Sequence, residues 1–375
     1  MTATTSNINK LLDSNKKLVT EFGATEFNKL TNIPNFRTFQ NNLFYSHRNF
    51  DTFYTNLLNG QKSAIVSGLN PSGKLHLGHK VVFDTCLFFQ REYNLKVIIP
   101  LSDDESYVSG RVETRIDAIS HAVHLIKGLL AYGFEPELTK VVLDFNYPEI
   151  FNLAINLSRK INISKIKGVY GYTESNNIGL YFYPAVQAAH VILPEDKYGI
   201  TNTLVPIGPD EDPHLILGRD MAEAMNYSKP SVIHVKFMPD INLEKMSKSR
   251  PDGVIYLTDN SEDVIAKIKR AFSGGGKTLE EHRKFGGNPE EDVAMIYLTS
   301  YFLNKEEGED IKKNYREGKL TSREVKEKLL SYLIPFLENF NKSFSNVNEI
   351  DFIKILMHKE TNLVNKKLIE LFRKN

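Results

Sequence analysis

Residues 63–84 read SAIVSGLNPSGKLHLGHKVVFD. The stretch opens on a short apolar run, passes through a turn-forming loop with Asn70, Pro71 and Gly73, and ends in a helical pattern near His79. A strand that runs through such a loop into a helix is the first half of a parallel βαβ unit. In those units ligands collect at the carboxyl ends of the strands. The start of the helix carries His76, Leu77, Gly78 and His79. A helix N-terminus offers unpaired N–H groups and the positive end of a dipole, which suits phosphate oxygens. Two imidazoles can add hydrogen bonds there. Gly78 between them has no side chain, so a flat base can approach the backbone. Taken alone, a His-x-Gly-His loop is a modest signal, equally readable as two incidental histidines or a metal pair.

Working outward from this stretch, the same alternation continues. Apolar strand patterns lie at 63–68, 96–101, 140–144, 203–207, 232–237 and 253–257. Helical patterns lie at 79–93 and 112–133. In the second helix Ile116, Ile119, Val123, Ile126 and Leu130 recur at three- and four-residue spacing, and Gly133 marks the stop. The fold class expected is α/β, with a Rossmann-like parallel sheet over residues 61–262. Residues 1–60 read as an N-terminal appendage with some helix. Residues 106–185 read as a mostly helical insertion. After about residue 262 strand patterns vanish. The segments 261–272, 291–303, 322–344 and 361–374 are amphipathic, so 263–375 is expected to be an all-α domain. Basic clusters at 282–284, 312–319 and 365–374 stud it. Each alone is best read as a solvated helix face, and together they suit a polyanion-facing surface.

Composition narrows the class. The 375 residues carry 47 Lys and Arg against 46 Asp and Glu, a net charge of +1, so global charge announces no polyanion partner. The single cysteine, Cys86, excludes an intrachain disulfide framework. No apolar run reaches membrane-spanning length, and MTATTSNINK lacks the apolar core of a secretory signal. A soluble, cytoplasmic protein without a membrane partner is expected.

A second loop completes the chemistry. Lys245-Met246-Ser247-Lys248-Ser249 places two lysines and two serines where a polyphosphate can be clamped, and Lys245 and Lys248 can neutralise charge developing at phosphorus. Another glycine-rich stretch, AFSGGGKT at 271–278, does not qualify as a phosphate loop. Ala271 stands where such a loop needs its first glycine, and a helical pattern precedes it rather than a strand. Its glycines are expected to make a flexible connection between helices.

HLGH followed far downstream by KMSKS resembles the two signatures of class I aminoacyl-tRNA synthetases. Further stretches are similar to the archaeal and eukaryotic tryptophanyl-tRNA synthetases: LFYSHRNFD (43–51), SDDESY (102–107), YPAVQAA (183–189), GPDEDP (208–213) and the run 271–302. The similarity spans roughly residues 17–375. It implies ATP binding by His76, Gly78 and His79, with Lys245, Ser247 and Lys248 closing over the triphosphate. His76, His79, Lys245 and Lys248 would carry the catalytic charge stabilisation. Gly208 would permit close approach of the ribose, and Asp210 would hold the ribose or the amino-acid end. Glu105 and Gln187 match positions that contact the ammonium group of the bound amino acid. Magnesium is expected with the ATP, and no protein metal site. Partners implied are tryptophan, ATP, the cognate tRNA and a second copy of the chain joined through 106–185.

The resemblance also has departures. A Tyr and a Gln read the indole N–H in the family, and the matching positions are Val66 and Pro100, which cannot accept a hydrogen bond. A third contact, usually Gln, is Glu211. The anticodon-touching pair after SGG is Gly276 and Lys277, so Lys277 is the expected tRNA contact. Tryptophan remains the favoured substrate. Tyrosine, and a non-charging tRNA-binding paralogue, are the alternatives.

Overall fold

The computed structural model describes residues 16–244, 246, 251–357 and 363–374. These divide into two compact units. One contains residues up to 45, 75–84 and 235–345; the other contains 46–74, 85–234 and 346 onward.

The second unit is built on a sheet. Its strands are β1 (Phe44–Arg48, entering the unit at Ser46), β2 (Ser63–Val66), β3 (Lys96–Leu101), β4 (Thr139–Leu143), β5 (Asn202–Ile207) and β6 (Ser231–Val235). Their spatial order is β1-β6-β5-β2-β3-β4. β2 pairs in parallel with both β3 and β5, β3 with β4, and β5 with β6. Val66, Ile98, Val142, Val205 and Val232 are buried in one apolar core, as expected of strands covered on both faces. The helices are α1 (Phe50–Leu58), α2 (Lys80–Tyr93, entering the unit at Thr85), α3 (Asp103–Val108), α4 (Arg115–Tyr132), α5 (Glu149–Ser158), α6 (Ile163–Tyr170), α7 (Ile178–Tyr198) and α8 (Asp212–Ala224). α4 begins where expected, because Thr114 and Asp117 form a reciprocal capping box. It ends at Gly133, whose φ of +106° suits glycine. α5 and α8 pack on α7.

Several expectations need correction. Phe44–Arg48 is a strand of the sheet, so residues 1–60 are not simply an appendage. The region 106–185 does not interrupt the alternation throughout, since α4 and β4 within it continue the parallel units. Residues 253–257 form no strand. Pro251–Gly253 is a 3-10 turn, and Tyr256 makes only an isolated bridge with His76. The reason is local: Asp259 takes the Tyr256 N–H at 3.0 Å, which ends the ladder. The compact units also cut across the linear domain boundaries. The helices Glu349–Ile355 and Leu363–Lys374 pack on α4, and Met357 N–H donates to Val141 O, so the C-terminal segment belongs with the sheet.

The first unit is mainly helical over Ser261–Arg270, Leu279–Phe285, Val293–Tyr301, Lys305–Arg316 and Ser322–Ser345. The glycines of 274–276 are not a flexible connection. A Cβ on Gly274 would lie 2.0 Å from Asn288 O, and one on Gly276 would lie 2.7 Å from His282 N, so these positions are glycine because backbone packs against them. Among the described residues no helix is long and apolar enough to cross a membrane.

Candidate active site

The switch in strand order lies between β2, which leads on to β3, and β5, which leads on to β6. Loops leaving these strands diverge there and open a crevice at their carboxyl ends. The loop after β2 carries Asn70, α3 after β3 carries Glu105, and the turn after β5 carries Gly208, Asp210 and Glu211. The topology therefore brings these sequence-predicted residues to one end of one sheet.

Glu105 is buried, 7% exposed, in the first turn of α3. Its Oε2 accepts from the Asn70 amide and from Arg111 Nη1 at 2.9 Å. Ser106 Oγ donates to Asn70 Oδ1 at 2.9 Å, which fixes the amide. Burial raises the Glu105 pKa, and Arg111 opposes the shift. A carboxylate so placed pairs with a cation, and within this chain the cation is Arg111. Gln187 projects from α7, and its Oε1 accepts the Tyr170 hydroxyl at 2.5 Å. Tyr170 stacks on His214, with centroids 4.1 Å apart and planes within 5°, and His214 Nδ1 lies 3.0 Å from Glu211 Oε2. One turn before Gln187, the Tyr183 hydroxyl is 3.1 Å from Ser102 Oγ. Burial raises the Tyr170 and Tyr183 phenols well above their ordinary value, so both stay neutral. Val66 is 2% exposed and, like Pro100, offers no acceptor side chain.

Two buried supports hold this end of the sheet. Arg48 grips Asp212, the first residue of α8, through Nε at 2.8 Å and Nη2 at 2.6 Å. His234 Nε2 lies 2.8 Å from the same carboxylate, and Ser46 Oγ 2.8 Å from His234 Nδ1. Burial alone would raise the Asp212 pKa, but these partners outweigh it and hold it at about 2. Beneath α3, His190 Nε2 lies 2.6 Å from Asp144 Oδ1, and Asp103 Oδ1 accepts from the Asp144 N–H at 2.7 Å. Burial, then the neighbouring Asp144, pushes Asp104 up to about 9. Burial holds His190 down at about 4.

The histidine loop lies in the first unit. His76 caps a 3-10 turn, Leu77–His79, that leads into α2. Its Nδ1 accepts from Gly78 N–H at 3.1 Å, and His79 Nδ1 accepts from His76 N–H at 3.1 Å. With each Nδ1 committed to the loop, a phosphate contact falls to Nε2. The loop is pinned on three sides. Leu77 N–H donates to Ile255 O at 3.0 Å, Leu257 N–H to Leu75 O at 3.0 Å, and the Tyr301 hydroxyl to Leu77 O at 2.8 Å. A Cβ on Gly78 would lie 2.9 Å from the His76 ring and 3.1 Å from Met246 Sδ. Met246 of the KMSKS stretch thus lies against the histidine loop. Lys245, Ser247 and Lys248 lie outside the described residues. Lys277 is exposed. Among the described residues no group of three or more His, Cys, Asp or Glu could hold a metal ion.

Asn70, Arg111, Tyr170, Tyr183 and His214 were not singled out from sequence. Tyr183 stood one helical turn before Gln187 in YPAVQAA, and that spacing was the available signal. Arg111 and His214 carried none, since their roles depend on loops meeting.

A family model described as tRNA synthetases class I (W and Y) matches residues 58–338. A Methanopyrus kandleri protein named Tryptophan–tRNA ligase is 33% identical, covering 89% of this chain and 92% of its own. A Halobacterium salinarum protein named Tryptophan–tRNA ligase 2 is 38% identical, covering 86% and 85%. Among solved structures, the tryptophanyl-tRNA synthetase of Aeropyrum pernix superposes with a TM-score of 0.85 at 27% identity, covering 94% of this chain and 98% of that one. An Encephalitozoon cuniculi tryptophanyl-tRNA synthetase bound to tryptophan gives 0.82 at 29%, covering 91% and 97%.

Proposed function

The chain belongs to the class I tRNA synthetases of the W and Y type, and from that membership we propose that it is a tryptophan–tRNA ligase. The single observation that carries the choice of tryptophan is the run of archaeal proteins of that name, 33–38% identical over most of both chains.

The reaction has two steps. A carboxylate oxygen of tryptophan attacks the α-phosphorus of ATP; the new P–O bond forms as the bond to the bridging oxygen breaks, and pyrophosphate leaves. A hydroxyl of the terminal tRNA ribose then attacks the carbonyl carbon of the adenylate, and AMP leaves. No protein nucleophile is needed, so alignment and charge stabilisation carry the catalysis. In this reading Glu105 and Gln187 hold the ammonium end, and Glu211 is a third contact to the amino acid. Gly208 and Asp210 receive the ribose. His76, Gly78 and His79 receive the phosphates, with Lys245, Ser247 and Lys248 above them. Magnesium bound with the triphosphate would offset phosphate charge. Exposed Lys277, at the head of the helix Leu279–Phe285, is the tRNA contact. A homodimer through 106–185 belongs to the same proposal, supported by the outward-facing Ile116, Ile155, Ile163 and Ile178. So does a cytoplasmic place of work.

The test is ATP–pyrophosphate exchange with each of the twenty amino acids in turn. Exchange with tryptophan alone is expected, and Lys248→Ala should abolish most of it. Exchange with tyrosine instead would move the chain to the sister activity. An unchanged rate in the lysine variant would remove the role given to KMSKS.

A further inference from the structure

Recognition of an indole rests on one polar ring atom, an N–H donor, so the pocket must present an acceptor. Val66 and Pro100, at the ends of β2 and β3, present none. The parallel ladder continues past Pro100: Leu69 N–H donates to Pro100 O at 2.9 Å and Ser102 N–H to Leu69 O at 3.2 Å. Successive residues on an extended ladder alternate sides, so Ser102 follows Pro100 on the same side. Across from it, α7 presents Tyr183 and Gln187 on one face, four residues apart. The two elements meet where the Tyr183 hydroxyl lies 3.1 Å from Ser102 Oγ.

We propose that the Ser102–Tyr183 hydroxyl pair accepts the indole N–H of the bound amino acid and so determines the specificity of this chain. The inference rests on the tryptophan–tRNA ligase reading above. Ser102 is the N-cap of α3 and Glu105 stands three residues on, so the backbone positions that carry the hydroxyl and the ammonium-binding carboxylate are about one helical turn, about 5 Å, apart along the axis. That is the order of separation between the ammonium and the ring N–H within tryptophan. One proton joins the two hydroxyls, and the Tyr183 oxygen keeps a lone pair for the ligand. Ionisation does not compete, because burial keeps this phenol neutral. Tyr170 is differently committed. Its hydroxyl donates to Gln187 Oε1 at 2.5 Å, and its ring stacks on His214.

The test compares tryptophan with β-(benzothiophen-3-yl)alanine, in which sulfur replaces the ring N–H, in pyrophosphate exchange. Wild-type protein should favour tryptophan by about 10- to 100-fold in kcat/KM, the worth of one buried hydrogen bond left unmade. Tyr183→Phe keeps the ring and removes the hydroxyl. It should lower kcat/KM for tryptophan by that factor, mainly through KM, leave the thiophene analogue within about twofold, and bring the ratio close to 1. The analogue also reports that the variant is folded. If Tyr183→Phe exchanges with neither substrate, Ser102→Ala decides, and its ratio must fall as well. A ratio preserved in both variants, or an equal loss for both substrates, overturns the assignment. Wild-type protein that does not exchange with tryptophan overturns the ligase reading, and this inference with it.

Discussion

Arg111 and Asn70 both bond to one oxygen of Glu105, Oε2, Arg111 at 2.9 Å, and neither takes Oε1. The carboxylate is therefore oriented, and burial raises its pKa while Arg111, Ser109 and Asn70 oppose the shift. Glu105→Gln keeps the shape and removes the charge. It should raise the KM for tryptophan about 100-fold in pyrophosphate exchange and leave the KM for ATP within a few-fold. A KM for tryptophan that stays put would take the ammonium away from Glu105.

Gly78→Ala tests the histidine loop. The added methyl would sit 2.9 Å from the His76 ring, which is itself tied to the Gly78 N–H. The imidazole must then move, and a displacement near 1 Å at a reacting group costs about 100-fold in rate. The fall should appear in kcat and in the KM for ATP, with tryptophan binding measured in the absence of ATP unaffected. Full activity would mean that the loop's geometry is not used.

Asp212→Asn should destabilise the protein by about 3–5 kcal/mol, because it strips the negative charge from a buried ion pair with Arg48. Urea unfolding measures this. The pH dependence has a definite sign. The folded pKa, about 2, is below the ordinary 3.8, so the contribution is present above about pH 4 and is lost as pH falls through 2. The variant should lose this acid-side slope; a slope of unchanged steepness would place the acid sensitivity elsewhere.

Asp104 in the first turn of α3 and its neighbour Asp144 act in the opposite direction. Asp144 Oδ2 is buried without an N–H or hydroxyl donor, and a carboxyl proton shared with Asp104 supplies one. With Asp104 at about 9, its contribution is full below pH 4 and is lost as pH rises through 9. Asp104→Asn retains a donor and should flatten that alkaline loss, followed by urea unfolding from pH 6 to 10. His190, held at about 4, adds a separate loss as pH falls from 6.5 to 4. An alkaline slope unchanged in the variant would show that Asp104 is already ionised at neutral pH.

Much of this molecule is decided locally, and there the sequence is sufficient. Apolar runs with β-branched residues made five of the six expected strands, because a strand buried on both faces needs a continuous apolar segment. Thr114, Asp117 and Gly133 set the bounds of α4, because caps act within one turn. The strand-to-helix junction that carries His76 and Gly78 was legible in the run 63–84, whereas Glu105 was singled out only through the resemblance. The tertiary structure decided what depends on elements meeting. GVIYL has the composition of a strand, yet its pairing with the histidine loop stops at one isolated bridge, Tyr256 with His76. The glycines of 274–276 look flexible in sequence and are fixed by the backbone of Asn288 and His282. Arg111 at Glu105, Tyr170 at Gln187 and Tyr183 at Ser102 are contacts between loops and helices 6 to 81 residues apart. A hydroxyl or guanidinium carries no local pattern that names its partner, so its role exists only once the chain has closed around it.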